Sequence, residues 1–178
     1  MTTVSQPHVN VIHREVLPTG SSIALSARLR VTIDEAESVA DLTGHLHDLV
    51  AESGVREGTL QVYCAHTTCG LVINENDAAL HQDVQALLER LAPHSSTHHY
   101  AHDKHRTPAE RRIHGERDNG HSHARARLAT HPELNVPITA GALYLGRWQA
   151  VMLAEFDGPR TRELLVRAHD AAPRPPAV

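Results

Sequence analysis

Apolar residues occupy every second position from Ile23 to Ile33: Ile23, Leu25, Ala27, Leu29, Val31 and Ile33. A period of two puts them all on one face of a strand. Residues 22–33 are therefore predicted as a half-buried strand, joined by a turn over 17–22 to a strand over 8–16. The period then changes. Leu42, Leu46, Leu49 and Val50 fall at i, i+4, i+7 and i+8, one side of a helix over 41–53. Gly54 is a natural C-terminal cap for it. Strands follow over 59–65 and 69–73. Asp77 is placed to cap a helix with the apolar stripe Leu80, Val84, Leu87, Leu88 and Leu91, closed by Pro93. Residues 94–120 are too long and too hydrophilic for a tight connection, and are expected to form a surface loop, either lid or filler. A short helix over 121–129 and strands over 136–139, 142–145, 148–156 and 162–169 complete the chain. The stretch 148–156 is nearly all apolar, as suits a strand covered on both faces. Helices and strands mix without regular βαβ alternation, so the expected class is α+β. One domain is expected over 1–170, with a Pro-rich, disordered tail over 171–178.

Composition changes this picture in three places. Aromatic residues make up only 3% of the 178, so Val, Leu, Ile and Ala must fill the core. The formal charge of −4 gives no reason to expect nucleic acid as a partner. The 16 histidines point to pH-sensitive behaviour or metal affinity. No signal peptide and no apolar run near the ~20 residues of a membrane helix are visible, so a soluble, cytoplasmic protein is expected. Cys64 and Cys69 fit no zinc ribbon and are expected as two small, buried, reduced side chains.

The stretch "VYCAHTTCGLVINEN" over 62–76 starts as a buried strand and ends in a dense polar cluster. Burying such groups unpaired costs on the order of 1–3 kcal/mol each. His66, Thr67, Thr68, Asn74, Glu75 and Asn76 must therefore pair with one another, a metal or a substrate. Glu155, after the apolar "VMLA", needs a cation, a metal or hydrogen-bond donors. An ion pair with Arg160 is the plain reading; a general base or a metal's outer-shell partner is the functional one. "YAHD" offers His102 and Asp103, and "DNGHSH" offers Asp118, His121 and His123. None of these spacings matches a zinc motif such as H-E-x-x-H. The hydroxyls of Thr67 and Thr68 and the forked donors of Arg125, Arg127, Arg160 and Arg162 suit an anion. The "DGPR" turn is expected to hold Arg160 at the mouth of a cleft.

The blocks "ESGVREGTLQVYCAHTTCGLVINEN", "YAHD", "DNGHSH", "VPITAGALYLGRWQ" and "LAEFDGPR" are similar, in order and spacing, to those of the YjbQ-like family, often described as secondary thiamine-phosphate synthase enzymes. The resemblance runs from about Asp41 to His169. "GRW" stands where Gly-Thr-Trp is commoner, and the histidine-rich loop is longer than usual. The resemblance implies an α+β fold on a mixed or antiparallel sheet, a homotrimer, and a polar site near a subunit interface linked with a metal or an anion. It singles out His66, Glu75, Asn76, His102, Asp118, His123 and Glu155, and not His121. On that basis His66, His102 and His123 are expected to converge on a divalent metal. Zinc suits three imidazoles with an open fourth position, and magnesium suits a diphosphate substrate. Glu155 is then the proton acceptor or ligand orienter, and Glu75 and Asn76 hold the His66 turn. Thr67, Thr68 and Arg160 are expected to contact the phosphates. The implied reaction joins hydroxymethylpyrimidine diphosphate to thiazole phosphate and releases pyrophosphate. The alternatives are a metal-assisted hydrolase of a small phosphorylated or acyl substrate, and a non-catalytic trimer that binds a metal or anion.

Overall fold

The computed structural model describes residues 7–18, 22–105, 107–114 and 117–172. Among the described residues nine strands form two antiparallel sheets. The larger has the order β1-β2-β9-β4-β6-β7, from His8–Val16 (β1), Ile23–Ile33 (β2), Arg160–Asp170 (β9), Gly58–Cys64 (β4), Glu133–Thr139 (β6) and Ala142–Leu143 (β7). The smaller has the order β3-β8-β5, from Ser38–Asp41 (β3), Ala150–Glu155 (β8) and Cys69–Asn74 (β5). This is the α+β architecture that the mixed periodicities predict.

The alternation of β2 does what a period of two requires. Leu25, Ala27, Leu29, Val31 and Ile33 are all buried on one face. Leu164, Val166 and Ala168 of β9, Leu60 and Val62 of β4, and Val136 and Ile138 of β6 continue that face. Helix α1, Thr43–Ser53, packs Leu46, Leu49 and Val50 into the same core, together with Val151 and Leu153 of β8 and Leu71 of β5. Gly54 ends α1 in a left-handed conformation (φ 67°), as its cap role requires. Every residue of β8 is buried, because its other face also has a cover. There Ala154 and Phe156 meet Leu88 of α2, Ala78–Leu91, and Ala126 of α4, Gly120–Ala129.

Three expectations need correction. Residues 38–41 form β3, paired with β8 from Ser38↔Glu155 to Asp41↔Met152. The first helix therefore starts at Thr43, where the Asp41 carboxylate accepts the Thr43 N–H at 2.8 Å. A four-residue edge strand is too short to show a period. The apolar stripe of α2 is mostly unburied: Leu88 is covered, but Val84, Leu87 (44%) and Leu91 (62%) are exposed. Lastly, residues 94–120 contain a 3-10 turn, Ala101–Lys104, and a helix α3, Pro108–His114. Thr107 and Glu110 form a reciprocal capping box there: Thr107 N–H donates to Glu110 Oε2 at 2.8 Å, and Glu110 N–H to Thr107 Oγ1 at 3.3 Å. The tip of the 17–22 turn and the tail beyond Ala172 lie outside the described residues.

Candidate functional site

The chain crosses between its sheets twice at one corner. It leaves β4 at Cys64 and enters β5 at Cys69, and it leaves β8 at Glu155 and enters β9 at Arg160. The two crossings touch: Phe156 N–H donates to the Thr68 carbonyl at 3.1 Å. Backbone at such a corner has no ladder partner on one side, so side chains supply the hydrogen bonds. This explains why the polar block falls there.

Glu155 sits in the middle of the corner and is 1% exposed. Its partner is Arg162, not Arg160. Arg162 donates from Nε to Oε2 at 2.5 Å and from Nη2 to Oε1 at 2.6 Å, a two-pronged ion pair. Arg162 Nη2 also donates to Thr68 Oγ1 at 2.8 Å, and Asp157 N–H donates to Glu155 Oε1 at 2.8 Å. Burial pushes the Arg162 guanidinium down, but Glu155 outweighs it and holds the pKa above its ordinary value. A signal for this pair exists in the sequence. Position 162 alternates with Leu164, Val166 and Ala168, and so faces inward beside Glu155.

His66 lies on the same turn, and its Nε2 accepts the Glu163 N–H at 3.1 Å. A neutral imidazole that accepts at Nε2 carries its proton on Nδ1. It therefore has no free lone pair to offer a metal in this arrangement. Burial, then the Arg162 charge, holds its pKa below the ordinary value, against the pull of Glu155. His102, on the 3-10 turn, and His123, on α4, do come together, with ring centroids 4.4 Å apart. Burial and then the His102 ring lower the His123 pKa, against the Asp157 charge and the Thr67 backbone, which raise it. Among the described residues no three His, Cys, Asp or Glu side chains gather as a metal-binding group. The chain thus assembles two of the three expected imidazoles. Two imidazoles fit half of a zinc site and no more.

Beside this pair stands a charged cluster of which the sequence singled out Arg160 but not Asp157, Arg117 or Asn119 as site residues. Asp157 accepts from Arg117 Nε at 3.0 Å, Arg160 Nη2 at 2.8 Å and Asn119 Nδ2 at 3.2 Å. Burial raises its pKa, but the hydrogen bonds of Arg160 and Asn119 and the two guanidinium charges outweigh that and hold it low. Two guanidiniums on one carboxylate leave a net positive charge. Asp103 accepts the N–H groups of Asn119 (3.0 Å) and Gly120 (2.8 Å) and so caps α4, which fixes the height of His123. Gly120 is required there, since a Cβ would stand 2.5 Å from Tyr100 Cβ. Asp118 turns the other way, to Arg111 and Lys104.

Glu75 and Asn76 lie at the far end of β5. Cys69 pairs with Glu155 and Asn74 with Ala150, so five residues, about 17 Å of strand, separate the two ends. Asn76 Nδ2 donates to Asp41 at 2.9 Å, and Asn76 Oδ1 meets His81 Nε2 at 3.0 Å. Neither residue holds the His66 turn. Glu75 instead lines a cavity of about 470 Å³ under α2, with Val72, Val84, Leu88, Met152 and Glu155 on its walls and none of the three histidines. Thr67 is exposed on the turn, whereas Thr68 is buried and committed to Arg162.

The family model described as "UPF0047 protein YjbQ-like" matches residues 27–171. A UPF0047 protein of Archaeoglobus fulgidus is 34% identical over 142 residues, 79% of this chain and 99% of the relative. YugU of Bacillus subtilis, also a UPF0047 protein, is 28% identical over 78% of this chain and 95% of its own length. The crystal structure of an uncharacterized YjbQ/UPF0047 protein of Clostridium acetobutylicum superposes with a TM-score of 0.66 at 31% identity, over 79% of this chain and 98% of that one. A conserved hypothetical protein of Thermus thermophilus gives 0.61 at 35% identity, over the same shares.

Proposed function

The chain belongs to the YjbQ-like UPF0047 family, and from that premise we propose that it is a cytoplasmic homotrimeric enzyme acting on a small phosphorylated substrate at the His102–His123 pair. The reaction we assign is thiamine-phosphate synthesis from hydroxymethylpyrimidine diphosphate and thiazole phosphate, as a secondary activity. One observation carries the reading: two imidazoles, one of them held neutral by burial, stand beside a carboxylate that bears two arginines. Pyrophosphate gathers charge as its C–O bond breaks, and fixed positive groups stabilise that charge. Arg160 and Arg117 supply the cations, and Thr67 a hydroxyl. His123, whose pKa burial lowers, is placed to hold or release a proton beside these charges. A zinc ion at the imidazoles, or a magnesium ion carried by the diphosphate, would add charge for the phosphate oxygens. Thr68 and Glu155 are spent on Arg162 and serve to hold the turn. The exposed Val84, Leu87 and Leu91 of α2 support association of copies.

The test mixes both precursors with protein and magnesium and follows thiamine phosphate by its oxidised fluorescent derivative. Wild type forms product, and His123→Ala and Arg160→Ala each lose at least about tenfold in rate. Absence of product from wild type, or full activity in both variants, overturns the assignment. Light scattering on the same sample should give three times 19.5 kDa.

A second reading has one observation in its favour. Glu155 is neutralised by Arg162, which removes the base that a metal-assisted hydrolase needs and leaves a site able to bind a metal or anion without turning it over. Stoichiometric zinc or phosphate binding, with no turnover of precursors or generic phosphate esters, selects this non-catalytic role.

A further inference from the structure

Cys64 and Cys69 are the chain's two cysteines, and the fold brings them together. One ends β4 and the other begins β5, so they bracket residues 65–68, the turn that carries His66, Thr67 and Thr68. Both thiols are free, 1% and 3% exposed, with Sγ atoms 3.5 Å apart. A disulfide places its sulfurs at about 2.05 Å, so closure needs an approach of about 1.5 Å. From this geometry we propose that Cys64 and Cys69 form a reversible dithiol/disulfide centre, oxidised by a small hydroperoxide, that locks the His66–Thr68 turn.

The roles of the two sulfurs are unequal. The hydrogen bond between the two sulfurs, with help from the Arg162 charge, holds the Cys64 thiol below its ordinary value, although burial opposes this. The same hydrogen bond, with burial, pushes Cys69 up. Cys64 is therefore the nucleophile and Cys69 the resolving thiol. Cys64 gives up its proton to solvent, and its thiolate attacks one peroxide oxygen. The O–O bond breaks, and hydroxide leaves and takes a proton to become water. Sulfur of Cys69 then attacks the sulfenic sulfur of Cys64. The Cys69 proton and the sulfenic hydroxyl depart together as a second water. Two thiols are oxidised by two electrons, and one peroxide is reduced to two waters. The burial of both sulfurs excludes bulky disulfides as oxidants, which leaves a small one such as hydrogen peroxide.

The consequence falls on the turn, because the closing movement is taken up by four residues. Thr68 binds Arg162, and His66 binds the Glu163 N–H. The proposal does not rest on the assigned reaction: it concerns the turn alone.

The experiment uses the full chain, reduced with dithiothreitol, desalted and exposed to hydrogen peroxide. Thiols are then counted in denaturant, alongside intact mass. The expected result is loss of both thiols together, a mass lower by two hydrogens, a monomeric band on a non-reducing denaturing gel, and return of both thiols with dithiothreitol. Nuclear magnetic resonance of the same samples should show shifts at His66, Thr67 and Thr68 that reverse on reduction. In Cys69→Ser, a sulfenic acid on Cys64 should be trapped by dimedone. Two thiols surviving excess peroxide, a mass gain in oxygens without disulfide, or cross-linked chains instead of an internal bond would each overturn the proposal. So would oxidation that leaves the His66–Thr68 resonances in place.

Discussion

Replacing Glu155 by Gln removes one negative charge from a corner where almost no water enters. Glu155 is 1% and Arg162 7% exposed, and the carboxylate accepts both prongs of the guanidinium as well as the Asp157 N–H. The variant leaves a buried guanidinium facing one amide oxygen and Thr68 Oγ1. Breaking a buried pair in this way costs about 3–5 kcal/mol. For a chain of this size that corresponds to roughly 6–20 °C in Tm. The assay is urea unfolding at one fixed protein concentration, since association also contributes to apparent stability. A cycle of Glu155→Leu and Arg162→Met, each alone and together, isolates the pair. The double variant Glu155→Leu/Arg162→Met should regain much of the loss, because two apolar groups leave no charge stranded. A loss below about 1 kcal/mol for Glu155→Gln, or strict additivity in the cycle, would refute the reasoning. Glu155 would then be a solvated group available for proton transfer.

The other predictions concern the same surroundings. Gly158→Ala places a Cβ 1.8 Å from the Glu35 carbonyl oxygen and should cost at least about 1–3 kcal/mol in chemical denaturation; a neutral result would mean that the 35–36 segment yields freely. His121 is buried against Ser95 with its ring tilted against that of His94, centroids 4.1 Å apart, and burial, then the His94 charge, holds its pKa down to about 4. The unfolded chain takes that proton near about 6.5. Stability should therefore be intact above that pH and fall as pH drops towards 4, by up to about 1.4 kcal/mol per unit. His121→Gln should flatten this slope, and an unchanged slope would assign it to His66 or His123, whose pKa values are also lowered. Thr107→Ala breaks the capping box and should destabilise α3 by about 0.5–2 kcal/mol, visible as faster amide exchange in Pro108–His114 with little change in Tm.

Much of this fold is legible in the chain because burial imposes periods. The β2 alternation and the nearly all-apolar β8 each have the cover their patterns require. The misses have physical causes. β3 is too short for a period and exists because β8 offers it an open edge. The α3 capping box is written in "TPAE", but it lies inside a polar, histidine-rich segment with no apolar period to mark a helix. The α2 stripe has the right period, and Leu87 and Leu91 still face outward. Periodicity fixes that a face is apolar, not that its own chain covers it.

The candidate site divides along a different line. Two sheets that exchange strands at one corner need polar side chains there, whatever the protein does. Thr68, Glu155 and Arg162 meet that need, and their spacing in the sequence is indistinguishable from that of a catalytic block. Asn76 meets a similar need at the opposite end of β5, where it ties the strand end to Asp41 and His81. Once these internal obligations are subtracted, what remains with unspent donors and charge is small: Thr67, the His102–His123 pair and the arginines on Asp157. Chemistry proposed for this protein should be charged to those groups. A substitution that abolishes activity through Glu155 or Thr68 should do so by unfolding the corner, and stability measured beside rate would separate the two causes.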